Sequence, residues 1–159
     1  AILYLTSKGW ARGPGTGPRT WRVAYWTGEH WRLSIVCESD NNYDTGGLYI
    51  ETDQWRILGP TETGPQAYNP GGEMALWISR DQGRTWSKEH DLTRNSEMNH
   101  TFARPVYRGN PGFMAYWADG HGRQPSISRL YFYDDSEKAV YRLPYAMDGD
   151  TAQPERIED

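Results

Sequence analysis

The stretch "LWISRDQGRTW", Leu76 to Trp86, decides how the rest of the chain is read. Leu76, Trp77 and Ile78 form an apolar, β-prone run, which Ser79, Asp81, Gly83 and Thr85 interrupt before Trp86 resumes it. Each interruption suits a hairpin turn. Asp81 can accept bonds from turn backbone N–H groups, Gly83 can take a positive φ, and Trp86 can pack beneath the turn. Read as chemistry instead, Asp81 would be a catalytic carboxylate. Side-chain bonding to a turn is the commoner use of such an aspartate, so the stretch is read as a staple and the chemistry is sought elsewhere.

The surrounding composition agrees with a β protein. The chain has 159 residues, 36% hydrophobic and 14% aromatic, with eight Trp and eleven Tyr, so its interior must be built from aromatics and short runs. Seventeen Gly and ten Pro supply many turns, and no apolar run reaches the length of a membrane span. A net charge of −4 argues against nucleic acid as a general partner, while a local arginine cluster could still hold an acidic ligand. Cys37 stands alone and is read as a small buried residue, which excludes an internal disulfide. The chain opens at "AILYLTSKG" without an initiator Met, as processing or truncation upstream would leave it.

Alternation and turn signals place strands at 2–8, 21–27, 31–39, 43–51, 55–62, 73–80, 85–93, 101–108, 113–119, 129–134 and 140–144. Three hairpins look alike, and Tyr25, Trp77 and Tyr131 within them recur at intervals of 52 and 54 residues. Four strands per interval is the spacing of a β-propeller blade, whose sheet must pack on its neighbours to bury its faces. The expected fold is therefore all-β, with propeller blades of four antiparallel strands and somewhat under three blades present. Residues 1–144 are read as a partial propeller: a blade part at 1–42 and blades at 43–93 and 100–144, with 145–159 as a tail or closing segment.

With the Leu76–Trp86 turn fixed between the two outer strands of its blade, the remaining loops sort onto two rims. Short turns fall on one rim. On the other fall three long loops, 9–20, 63–72 and 120–128, and the connectors 40–42 and 94–100. Long loops gathered on a rigid scaffold are where function is usually carried. That rim holds Arg12, Arg19, Tyr43, Tyr68, His100, His121 and Arg123, with Arg104 just inside.

Strand alternation expects His100, Phe102 and Arg104 to point the same way. Imidazoles, phenols and guanidiniums together suit an anionic sugar: arginine holds a carboxylate by forked bonds, and His or Tyr moves protons. Plainer readings stay open at each position. His100 could cap a strand, His121 in "DGHGR" could belong to a surface loop, Tyr43 could anchor core, and Arg12 and Arg19 could be loop charges. His30 and His90 receive no role. Metal-ligand spacing is absent and no cofactor is expected, although a structural metal ion is conceivable; "GPGTG" lacks the strand-to-helix context of a phosphate loop.

Ser79 to Trp86 resembles the Asp-box, or BNR repeat, of sialidases and related propellers, with Ser79, Asp81, Gly83, Thr85 and Trp86 as its structural positions. The runs "GPRTW", "NNYDTGGLYIE", "GGEMALWISRDQGRTW", "NHTFARP" and "YWADGHGRQPSISRLYF" further resemble the BNR-4 group, up to about Pro144. That group resembles, and in part includes, seven-bladed ulvan lyases and a related enzyme acting on rhamnose linked to glucuronate.

The resemblance implies a polysaccharide lyase cleaving uronic-acid glycans by β-elimination. His100 would be the base or its partner, Tyr43 the acid, His121 a second proton carrier, and Arg104 with Arg123 the carboxylate clamp. Tyr68 and Arg19 would join in substrate binding. The alternatives are a sialidase-like or rhamnosidase-like glycosidase, or a non-catalytic glycan-binding propeller; a protein-interaction propeller would show no affinity for sugars. The implied partner is an acidic polysaccharide or oligosaccharide, not nucleic acid or membrane, and the implied location is secreted or periplasmic. Missing blades would come from a longer chain, a partner chain or self-association.

Overall fold

The computed structural model describes residues 1–41 and 43–157. Asn42, in the expected connector 40–42, and Glu158 and Asp159, in the expected tail, lie outside the described residues. Twelve strands follow one another: β1 (Ile2–Thr6), β2 (Arg19–Trp26), β3 (Trp31–Ser39), β4 (Gly47–Ile50), β5 (Trp55–Glu62), β6 (Glu73–Ser79), β7 (Ser87–Asp91), β8 (His100–Pro105), β9 (Phe113–Asp119), β10 (Leu130–Asp134), β11 (Ala139–Arg142) and β12 (Glu155–Ile157). They form three antiparallel sheets, β1-β2-β3, β4-β5-β6-β7 and β12-β11-β10-β9-β8, with neighbours in sequence paired throughout. The fold is all-β, and no α-helix occurs among the described residues.

One strand expectation is corrected. Tyr43 and Asp44, expected to open the strand 43–51, are loop, and that strand begins only at Gly47, because Asp44 turns inward to bond a neighbouring sheet. Within the expected tail or closing segment lies β12, which pairs Glu155, Arg156 and Ile157 with Arg142, Tyr141 and Val140 and covers the edge of β11. Three residues carry no period, so nothing local announces this strand.

The second sheet lies between the other two, because its central strands β5 and β6 are buried on both faces. Trp55 and Ile57 of β5 point to the first sheet and join Trp21, Val23 and Val36. Leu58, Met74 and Leu76 point the other way and join Met114, Trp117, Tyr131, Tyr133 and Val140 of the third sheet. Such two-sided burial is why β5 reads as "WRILGPT" rather than alternating with polar residues. Emptying a site such as Trp21, which is fully buried, would cost roughly 3–5 kcal/mol. The outward faces of the end sheets remain apolar and exposed: Trp31, Leu33 and Ile35 on one, Phe113, Tyr116 and Leu130 on the other.

The Leu76–Trp86 hairpin closes as its residues demand. Asp81 Oδ1 accepts the N–H of Arg84 and of Thr85, both at 2.9 Å, while Oδ2 accepts the Thr85 hydroxyl at 2.6 Å. Ser79 Oγ accepts the Gly83 N–H at 2.8 Å and donates to Asp81 Oδ1. Gly83 has φ 75, and a Cβ there would sit 2.6 Å from the Trp55 ring. Trp86 packs into the first core cluster and donates its indole N–H to Ser34 Oγ of the first sheet. The matching hairpins solve the problem in the same way: Thr27 Oγ1 accepts the Glu29 and His30 N–H groups, and Asp134 Oδ1 accepts those of Ser136 and Glu137.

Candidate functional site: the loop-bearing end

The three long loops and the described parts of both connectors meet at one end of the sheets, joined by hydrogen bonds between them. The Tyr43 hydroxyl donates to the Trp10 carbonyl, and Asp40 Oδ2 accepts the Tyr68 N–H at 3.1 Å. Asn41 Oδ1 accepts the Gly71 N–H, and Arg123 Nε donates to Asn69 Oδ1 at 2.6 Å. Asn99 exchanges bonds with Gln66 through backbone and side chain on both residues. The short turns lie at the opposite end, where Arg32 reaches the Gln82 carbonyl and Arg56 bridges Glu51 and Asp135.

These seven bonds between loops join five separate segments of chain, so this end is built as one surface. Trp10 and Tyr43 stand exposed on it, at 84% and 66%. His121, Phe102, Gly120, Gln124 and Ser126 line a cavity of about 400 Å³. The His121 ring accepts the Arg123 N–H at Nδ1, which holds the imidazole against its loop, so the neutral ring carries its proton on Nε2. Tyr68 is half-buried, with φ 58.

Arg19 is almost wholly buried and donates to the carbonyls of Gly13 and Ala11 and to Thr16 Oγ1, so its guanidinium organises the first long loop. Sequence reasoning passed over Trp10, whose signal is an aromatic inside a Gly- and Pro-rich loop, and Phe102 and Asp44, whose pairing joins segments 58 residues apart.

His100 is 2% exposed. Its Nδ1 accepts the indole N–H of Trp117 at 2.9 Å, and its Nε2 lies 2.9 Å from Ser96 Oγ. An indole N–H can only donate, so Nδ1 is the bare nitrogen, and the neutral ring carries its proton on Nε2 toward Ser96. The Ser96 hydroxyl donates onward to Glu73 Oε2 at 2.7 Å, and Glu73 also accepts the Thr93 hydroxyl and the Ser96 N–H. Burial pushes the His100 imidazole down to about 4; Glu73 and Asp119 pull it only part of the way back. The chain Trp117, His100, Ser96, Glu73 fastens the connector 94–100 to the third sheet. Tyr131 stands edge-on to the same imidazole and donates its hydroxyl to Asp119 Oδ2 at 2.9 Å.

Arg104 is not on the face of His100. Pairing runs His100 with Asp119 and Thr101 with Ala118, then resumes at Arg104 with Tyr116, so β8 carries one extra residue across this bulge. Asp119 and Tyr116 are three apart on β9 and lie on opposite faces. The alternation expected from sequence is overturned: His100 enters the core side, while Arg104 is exposed with its guanidinium 5.6 Å from the Phe102 ring centroid. Phe102, at φ 58, is the residue that absorbs the bulge.

Cys37 is half-buried, and burial with the nearby Glu62 charge pushes its thiol up to about 12. No group of three or more His, Cys, Asp or Glu that could hold a metal ion converges among the described residues. Among the described residues no helix is long and apolar enough to cross a membrane. Compared with family models, curated proteins and solved structures, the chain finds no match in any of the three.

Proposed function

We propose that the three sheets are blades of a carbohydrate-active β-propeller of the BNR-4 kind, that the loop-bearing end binds an acidic polysaccharide, and that it cleaves uronate linkages by β-elimination. The observation that carries the reading is the joining of five loop segments into one surface that exposes Trp10, Tyr43, Phe102, Arg104 and Arg123, with His121 half-buried among them. Sequential antiparallel sheets stacked face to face, with apolar outward faces on the first and last, are what a run of blades presents to further blades. Seven blades and a secreted or periplasmic location belong to the same proposal.

In the reaction, Arg104 and Arg123 neutralise the uronate carboxylate, which lowers the cost of negative charge developing at C5. The proton carriers at this surface are the half-buried His121 and the exposed Tyr43: one takes the C5 proton and the other protonates the leaving oxygen. His100, neutral and engaged at both nitrogens, holds the connector that shapes the surface and touches neither reacting atom.

The test follows unsaturated uronate by its ultraviolet absorbance during incubation with ulvan and other uronic-acid polysaccharides. A rise abolished in His121→Ala and Tyr43→Phe supports elimination here. New reducing ends without absorbance would replace it by hydrolysis. Neither signal, with glycan still bound, would leave the binding propeller, a reading favoured by one observation: the His100 imidazole of this end is sealed from solvent.

A further inference from the structure

Asp44 is buried to 2% exposure in the loop before β4, and the sequence gives it no role. Its Oδ2 accepts the N–H of Phe102 at 2.7 Å, at the residue whose positive φ makes the β8 bulge. That bulge turns Phe102 outward, 54% exposed, beside the exposed Arg104 whose guanidinium lies over its ring. An ordinary strand would offer this N–H to β9; here the carboxylate replaces the ladder partner, so the bulge is held by a charge.

We infer that Asp44 is a positioning residue for anion capture: its carboxylate fixes the Phe102–Arg104 bulge and, when ionised, opposes the charge of Arg104, so that the surface binds anionic sugars more tightly in mild acid. The inference rests on the reading of this end as an acidic-glycan site and adds its regulation.

The electrostatics give the direction. Burial raises the Asp44 carboxyl to about 6, against which the Phe102 N–H and the Arg104 charge pull it down without winning. Arg104 on β8 is the charged side chain acting on it; Asn41, which donates to the Asp44 carbonyl, is neutral. Asp40, which bonds the Tyr68 N–H, and His121 and Arg123 are further ionisable groups of this end. Above pH 6 a negative charge faces Arg104 from beneath. Below it the charge is gone and the full guanidinium field reaches the ligand, while a uronate carboxyl, with an acidity close to that of an α-carboxyl, stays ionised to about pH 4. Partly screened charges at this range change affinity by about three- to tenfold.

The experiment measures binding of glucuronate-containing oligosaccharides from ulvan by calorimetry between pH 5 and 7.5, with the full chain and with Asp44→Asn, Arg104→Gln and His121→Gln. The amide of Asp44→Asn still accepts the Phe102 N–H but cannot ionise. The expected result is affinity in the parent that rises as pH falls through about 6. Asp44→Asn should bind as the acidic parent does at every pH, and His121→Gln should retain the Asp44 component. Arg104→Gln should lose both affinity and pH dependence, a readout that stands even where Asp44→Asn is too unstable to assay. Binding whose pH dependence survives unchanged in Asp44→Asn or Arg104→Gln overturns the inference and leaves the glycan surface standing. No binding by the parent at any pH overturns the glycan reading and this inference with it.

Discussion

The indole N–H of Trp117 donates to Nδ1 of His100, and this bond settles which nitrogen of the imidazole carries the proton. A donor aimed at Nδ1 is compatible with the neutral ring and opposed to the cation, since His⁺ would set two N–H groups against each other. The lowered proton affinity of His100 thus has a geometric cause as well as burial.

Stability should follow pH through that ring. The folded His100 titrates at about 4, against 6.5 for the free side chain, so between those values the unfolded state binds the extra proton. The stabilising contribution is complete above about 6.5 and is lost progressively as pH falls to about 4. Asp44 acts oppositely: its folded value of about 6 lies above 3.8, so its contribution is complete below 3.8 and is lost as pH rises through 6. Urea melts from pH 4 to 7 should show His100→Gln becoming more stable on acidification, and Asp44→Asn losing stability more steeply than the parent. Parallel curves for all three proteins would contradict this account.

Removing Asp81 should unfasten the Leu76–Trp86 hairpin. Asp81→Ala leaves two turn N–H groups and the Thr85 hydroxyl without their acceptor and should cost roughly 1–2 kcal/mol in denaturant titration. Its hydrogen bonds, that of the Thr85 hydroxyl foremost, hold the Asp81 carboxyl well below the usual carboxylate range, so the turn stays fastened in mild acid. Sugar binding should be unchanged, because the turn lies at the far end. An Asp81 variant with normal stability but no sugar turnover would restore the catalytic reading.

Arg56 ties the second sheet to the third, bonding Glu51 at 2.6 Å and Asp135 at 2.7 Å with only 9% of its side chain exposed. Arg56→Met leaves two carboxylates close together without a cation and should cost about 2–4 kcal/mol, while Glu51→Gln, at the more exposed end, should cost under about 1. Double-mutant cycles with Asp135→Asn give the coupling directly. Additive losses would show that the two sheets are held by packing alone.

At the loop-bearing end, Trp10→Ala should lower affinity for uronic oligosaccharides by about tenfold without moving the melting temperature, since the side chain is 84% exposed and stacking on one aromatic face is worth about 1–1.5 kcal/mol. A shift of several degrees would mark Trp10 as part of the structure.

What the sequence made legible follows from the range of the forces involved. The Asp81 turn was readable because donors and acceptor lie within four residues of each other. All eleven expected strands occur, since alternation and turn residues are local signals. The gathering of long loops on one end followed once that turn was placed. The parity of His100 and Arg104 was not readable: the bulge between them depends on Asp44, 58 residues before Phe102. Nor was the fate of the His100 ring, because Trp117, Ser96 and Glu73 reach it from three different segments. β12 is short and polar, and the edge it covers is what defines it.

Burial of β5 on both faces has a consequence for the order in which the molecule opens. The first and third sheets each shield one side of the middle one, so its amides can meet solvent only after a neighbour has peeled away. Deuterium should therefore enter β12 and β1 early and the β5–β6 ladder last, at a rate that reports the opening of the whole stack. The middle sheet would thus serve as the molecule's slowest clock.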